Sequence, residues 1–159
     1  MLMTAFQSPV QLIRSAIESL SIKHAHKSLR VSLAIVFIWF GGLKLLSASP
    51  AEGLVEATAK IMIPFQFDGF IYFLGVWEVL IGVFFLSEKT KVYGIFLFFL
   101  QMIGAMSPLF VLPELCFNKF PFHLTFEGQY IVKNFVFLAA ALLLITQTDK
   151  KLSTGSENV

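Results

Sequence analysis

Apolar residues gather along this chain in four long runs, at residues 29–46, 67–86, 92–111 and 130–146. Each run is close to the ~20 residues that an α-helix needs to cross ~30 Å of hydrocarbon. A helix bonds its own backbone groups where no water is present to do so, and the runs therefore predict spanning helices rather than strands. The fold class that follows is all-α, a polytopic four-helix transmembrane bundle. Ahead of it, Val10, Ile13, Ile17 and Leu20 recur at steps of three and four, opposite Arg14, Glu18 and Lys23. That pattern predicts an N-terminal amphipathic interfacial helix lying on the membrane surface, with a docking helix for a partner as the alternative. The chain thus divides into an interfacial segment over 1–28, the bundle over 29–146 and a polar tail over 147–159. Residues 1–6 carry no positive charge, and the first strong apolar run begins only at Leu29, so the first span is expected to stay as an anchor.

Composition agrees, with 57% hydrophobic residues and 19 Phe among 159 positions, more than a soluble domain of this size hides. The partner implied is the lipid bilayer. A net charge of +2, without a basic tract interleaved with aromatics, gives no reason to expect nucleic acid. The single cysteine, Cys116, excludes an intramolecular disulfide and any CxxC pair. It is read as an inert small hydrophobe, with an oxidant-reactive thiol as the alternative. His24, His26 and His123 have no ligand spacing with other donors, so no metal site is predicted. No glycine-rich phosphate loop and no nucleophile with an adjacent base is present, Ser107 preceding Pro108 without a histidine nearby. No catalytic set is predicted.

Charge placement sets the expected orientation. Arg14, Lys23, Lys27 and Arg30 precede the first span, Lys89 and Lys91 lie in the short second link, and Lys150 and Lys151 lie in the tail. Positive residues near span ends stay in the cytoplasm, so both termini are expected there, with the loops at 47–66 and 112–129 outside.

Candidate chemistry centres on Glu78, which lies in the middle of the second run. A carboxylate at such depth costs at least ~2.5–3.5 kcal/mol on insertion scales unless it is paired, and so marks a candidate site. Gly75, Glu78 and Gly82 share one helical face, and small residues are how membrane helices approach each other. Gly41 shares a face with Phe37 and Lys44, and Gly42 is read as a second point of close approach. Gln101 lies on the expected inner face of the third span, with Gly94, Ala105 and Pro108. Tyr130 and Asn134 lie on that of the fourth, with Phe137 and Ala141. Lys44 and Lys133 both fall in the outer third of their spans, so a pair with Glu78 is open to either lysine. At the start of the fourth span Thr125 is a candidate N-cap, Glu127 favours the positive end of the helix dipole, and Gln129 adds a further polar group. The patch either satisfies itself or donates hydrogen bonds to a carbonyl or an anion.

The stretch RVSLAIVFIWFGGLK at 30–44, GVWE at 75–78 with Gly82, and LTFEGQYIVKN at 124–134 together resemble the DoxX-like group of small four-helix membrane proteins. Within it they are most similar to the branch that includes the inner-membrane protein of a reactive-chlorine resistance operon. The resemblance covers residues 29–146 and departs at 52–67, which is richer in Phe and Pro than that branch. It implies a bacterial inner-membrane location and a link to oxidant or electrophile stress, with quinone-linked chemistry among wider relatives. Three readings follow. The chain is a non-catalytic membrane component whose polar cluster holds the bundle together and meets a membrane partner. Or Glu78, Lys44, Lys133 and Tyr130 bind a quinone. Or the cluster lines a permeation path, which in a bundle this narrow requires a homo-oligomer. A quinone site needs an apolar cavity against Glu78, whereas a structural cluster is closed and mutually hydrogen-bonded.

Overall fold

The computed structural model describes residues 9–63 and 69–155, with side chains left undescribed at 16, 19–23 and 146–155. Outside the described residues lie 1–8 of the interfacial segment, 67 and 68 of the second run and 156–159 of the tail. The same holds for the side chains of Leu20, Lys23, Lys150 and Lys151.

The chain is mostly helical. The first helix, α1, runs unbroken over Pro9–Leu45, 37 residues in all. An interfacial helix separate from the span is therefore not what forms. Residues 21–28 contain neither glycine nor proline, so nothing stops the helical ladder between the amphipathic stretch and the apolar run. Within α1 the part long and apolar enough to cross a membrane is His24–Leu45, which begins five residues earlier than the hydropathy pattern suggests. Helix α2 covers Glu52–Met62 and α3 covers Phe70–Leu86. With 17 residues, α3 is the shortest of the four apolar helices, ~25 Å long.

The third apolar helix is built from α4, Lys91–Met106, and α5, Pro108–Val111, which run on from one another across Ser107. The proline sits at the first position of α5, where its missing N–H removes no needed bond. The fourth is built from α7, Phe126–Val132, and α8, Asn134–Gly155, interrupted at Lys133. Its apolar part, Phe126–Ile145, starts four residues before the expected span. Three helices are thus long and apolar enough to cross a membrane, and α3 is a shorter one. Between α5 and α7 the sequence predicts a loop, but the structure places α6, Pro113–Cys116, and a small antiparallel hairpin there. Its strands are β1, Phe117–Lys119, and β2, His123–Leu124.

The core lies where α1, α3, α4 and α8 meet. Leu33, Ala34 and Phe37 pack with Ile81 and Phe85, with Phe98 and Met102, and with Ala141 and Leu144. The Phe37 ring stands edge-on to Phe98, with centroids 5.5 Å apart. Close approach of α1 and α3 depends on glycine. A Cβ on Gly41 would stand 2.6 Å from the Gly75 carbonyl oxygen, and one on Gly82 would stand 2.7 Å from that of Ala34. Gly42 departs from the expectation of close approach, because no atom outside the adjoining chain and backbone of its own helix lies within 4 Å of where its Cβ would be. It is one helical step from Gly41 and so faces about 100° away from α3.

Gly41→Ala is therefore expected to destabilise the bundle by about 1–3 kcal/mol through overpacking against α3. Gly42→Ala is expected to be neutral. Unfolding of the two variants in mixed micelles, followed by circular dichroism, measures the difference.

Candidate functional site

The glycine seam between α1 and α3 positions the polar cluster. Phe37, Gly41 and Lys44 share one face of α1 and are all buried, and Gly75, Glu78 and Gly82 share the facing stripe of α3. With the two backbones in contact, the lysine stem near the end of α1 spans the remaining distance. Lys44 Nζ donates to Glu78 Oε2 at 2.7 Å, with both side chains about nine-tenths buried. Gln101 Nε2, from α4, donates to Glu78 Oε1 at 2.9 Å. One donor thus fills each carboxylate oxygen. Nearly two turns of α3 nearer α2, the Ser47 and Tyr72 hydroxyls bond each other at 2.8 Å.

The other candidates do not reach this cluster. Lys133 is exposed, with its Nζ 5.6 Å from the centroid of the Tyr130 ring, so the Lys133–Glu78 pair left open by the sequence does not form. The interruption between α7 and α8 falls at Lys133 itself and presents its stem on the surface of the bundle. Tyr130 is held between aromatic rings, 6.1 Å from Phe40 and 6.4 Å from Phe126, and is about half-exposed. Asn134 is half-buried and makes no hydrogen bond to Glu78. The residues at the start of α7 perform capping chemistry. Thr125 Oγ1 accepts from the Gly128 N–H at 3.1 Å and donates to the Leu115 carbonyl at 2.7 Å, which ties α7 to α6. Glu127 lies in the first turn of α7, and both it and Gln129 face outward. Gly128 is required there because a Cβ would collide with the Cys116 carbonyl oxygen.

An apolar cavity of about 460 Å³ opens between α2, α4, α5 and α8, lined among others by Met62, Phe99, Met102, Met106, Phe110 and Leu138. Its lining includes none of Lys44, Glu78 and Gln101. Among the described residues no three His, Cys, Asp or Glu side chains stand close enough together to hold a metal ion. The Cys116 thiol is fully buried. Burial first, then the charges of Glu114 and Glu127, push its pKa up, so the thiolate is disfavoured at neutral pH.

Sequence reasoning passed over Glu88. In the α3–α4 turn it meets Arg30 and Lys91, Oε1 lying 2.7 Å from Arg30 Nη1 and Oε2 lying 3.2 Å from Lys91 Nζ. An acid in a four-residue turn that also carries a lysine was the signal available.

Two outcomes are expected from this geometry. Glu78→Gln leaves Lys44 buried without its counter-charge and is expected to cost about 3–5 kcal/mol. Adding Lys44→Met to it restores most of that loss, while Lys133→Met alone leaves stability unchanged; denaturation in mixed micelles reads all three. Maleimide labelling of Cys116 at neutral pH is expected to be slow in the folded protein and to become fast on denaturation.

No family model, no curated protein and no solved structure matches this chain.

Proposed function

We infer that the chain is a non-catalytic component of a bacterial inner membrane, a four-span protein of the DoxX-like group that serves an oxidant or electrophile stress response. The observation that carries the non-catalytic part is the closed state of the Lys44–Glu78–Gln101 cluster. Each carboxylate oxygen already accepts a short bond from a protein donor, and the large apolar cavity lies elsewhere. A quinone carbonyl or a permeating ion would have to displace a buried charged partner to enter. The cluster instead joins three helices, which is the role expected of polar groups between helices in lipid. The link to stress, and the placement of both termini in the cytoplasm, rest on the resemblance of residues 30–44, 75–78 and 124–134 and on the distribution of Lys and Arg.

Growth under hypochlorite tests the reading. A deletion strain is complemented with wild type, Glu78→Gln, the Lys44→Met/Glu78→Gln pair and Lys133→Met, with membrane levels followed by immunoblot. Loss of protection is expected to track loss of protein for Glu78→Gln, and the pair and Lys133→Met are expected to protect. A pair variant present at wild-type level that gives no protection would show a chemical role for the cluster and sink the non-catalytic reading.

A further inference from the structure

The middle of α1, the end of α3 and the start of α4 meet at the α3–α4 turn in a second charged cluster that the proposed function does not use. Arg30 and Lys91 are both more than nine-tenths buried, at 7% and 6% exposure, and they share the carboxylate of Glu88, itself half-exposed. Arg30 Nε is enclosed with no hydrogen-bond acceptor. One turn earlier on α1, His26 Nδ1 is enclosed and equally without a partner. Lys27, on α1, and Lys89, in the turn, are exposed. Two buried cations, Arg30 and Lys91, thus share one carboxylate, which leaves the pair with one positive charge in excess.

The turn does not need this charge to hold its own shape. Ser87 Oγ accepts from the Lys89 N–H at 3.2 Å, and the Thr90 hydroxyl donates to the Phe84 carbonyl at 3.0 Å. Its depth is informative. Apolar helix α3 ends at Leu86 and α4 begins at Lys91, so the cluster lies where the hydrocarbon-facing surface gives way to the headgroup layer. Directly beside it Leu86, Val92 and Tyr93 expose apolar surface along which an acyl chain would run. Basic pockets between spanning helices at this level suit lipid phosphates, each nearby Lys or Arg contributing about fivefold in affinity.

We propose that Arg30, Lys91 and His26 form a headgroup site for an anionic phospholipid, in which Glu88 holds the two cations in place and competes with the lipid phosphate. The phosphate takes the charge that Glu88 leaves unbalanced, and the acyl chains lie over Leu86, Val92 and Tyr93. The site requires that the helices lie in a bilayer. It is independent of the stress role, so either reading survives failure of the other.

Detergent-solubilised full-length protein, checked for a monodisperse elution profile, is offered equal amounts of phosphatidylglycerol and phosphatidylcholine and examined by native mass spectrometry. Phosphatidylglycerol adducts are expected to dominate. Lys91→Gln and Arg30→Gln are each expected to lower their occupancy about fivefold. Glu88→Gln, which removes the competing carboxylate without adding a cation, is expected to raise it by a similar factor. This variant keeps the test decisive if loss of Arg30 prevents folding, since a purely structural turn would be weakened by Glu88→Gln with no gain of lipid. Equal adducts of the two lipids, or a preference indifferent to Lys91→Gln and Glu88→Gln, would overturn the proposal. So would displacement of phosphatidylglycerol by millimolar inorganic phosphate, which would make the ligand a soluble anion.

Discussion

The carboxylate of Glu78 must be neutralised inside the helix bundle, and the arrangement of the first three apolar helices follows from that need. A buried charge of this kind is tolerated only when a partner and further hydrogen bonds fill its lone pairs. Lys44 supplies the opposite charge from α1, and Gln101 fills the remaining oxygen from α4. Both contacts are short, which requires the α1 and α3 backbones to touch. Gly41, Gly75 and Gly82 make that contact sterically available. The ion pair and the glycine seam are therefore one device. A sliding of α1 along α3 by a single turn would break both at once, and the polar group sets the register that apolar packing alone leaves loosely specified.

A second tie lies fourteen residues back along α1, where Arg30 meets Glu88 at the turn between α3 and α4. Helix α1 is thereby fixed to α3 at two depths about 21 Å apart, with Leu33, Ala34 and Phe37 packed between them. The fourth apolar helix is held differently. Among the described residues its contacts with the core are apolar, through Ala140, Ala141 and Leu144, and its α7 end is secured to α6 by the Thr125 cap. The molecule thus combines a charged three-helix unit with a fourth helix packed against it, and the 460 Å³ cavity opens beside that less strongly tied helix.

Legibility from sequence followed the range of the interaction involved. Hydrophobic run length depends on the chain alone, so the four apolar helices and the mostly helical class could be read directly, three of those helices being long and apolar enough to cross a membrane. The shared faces of Gly41 with Lys44 and of Gly75, Glu78 and Gly82 could be read as well, because helical periodicity is a local property. Boundaries shifted where local propensity and hydropathy disagree: α1 continues through residues 21–28 because no residue there breaks a helix, although their polarity argued for a separate segment.

Which groups meet was decided by tertiary structure. Lys44 and Lys133 looked equivalent in sequence, both basic and both near one end of an apolar run. Only the packing of α1 on α3 brings Lys44 within 2.7 Å of Glu78, while the break before α8 turns Lys133 outward onto Tyr130. Gly41 and Gly42 looked equally suited to close approach, and one helical step separates the glycine at the seam from the one in open space. In the cluster of Arg30, Glu88 and Lys91 the turn pair of Glu88 and Lys91 is local, but Arg30 joins it from nearly sixty positions away, and no local pattern could announce that contact. The sequence by itself determined which stretches form apolar helices and, for α1 and α3, which face they bury, because those depend on composition and on a period of 3.6 residues. The pairing of charges between helices depends on distances of a few ångströms, and only the folded bundle decides those.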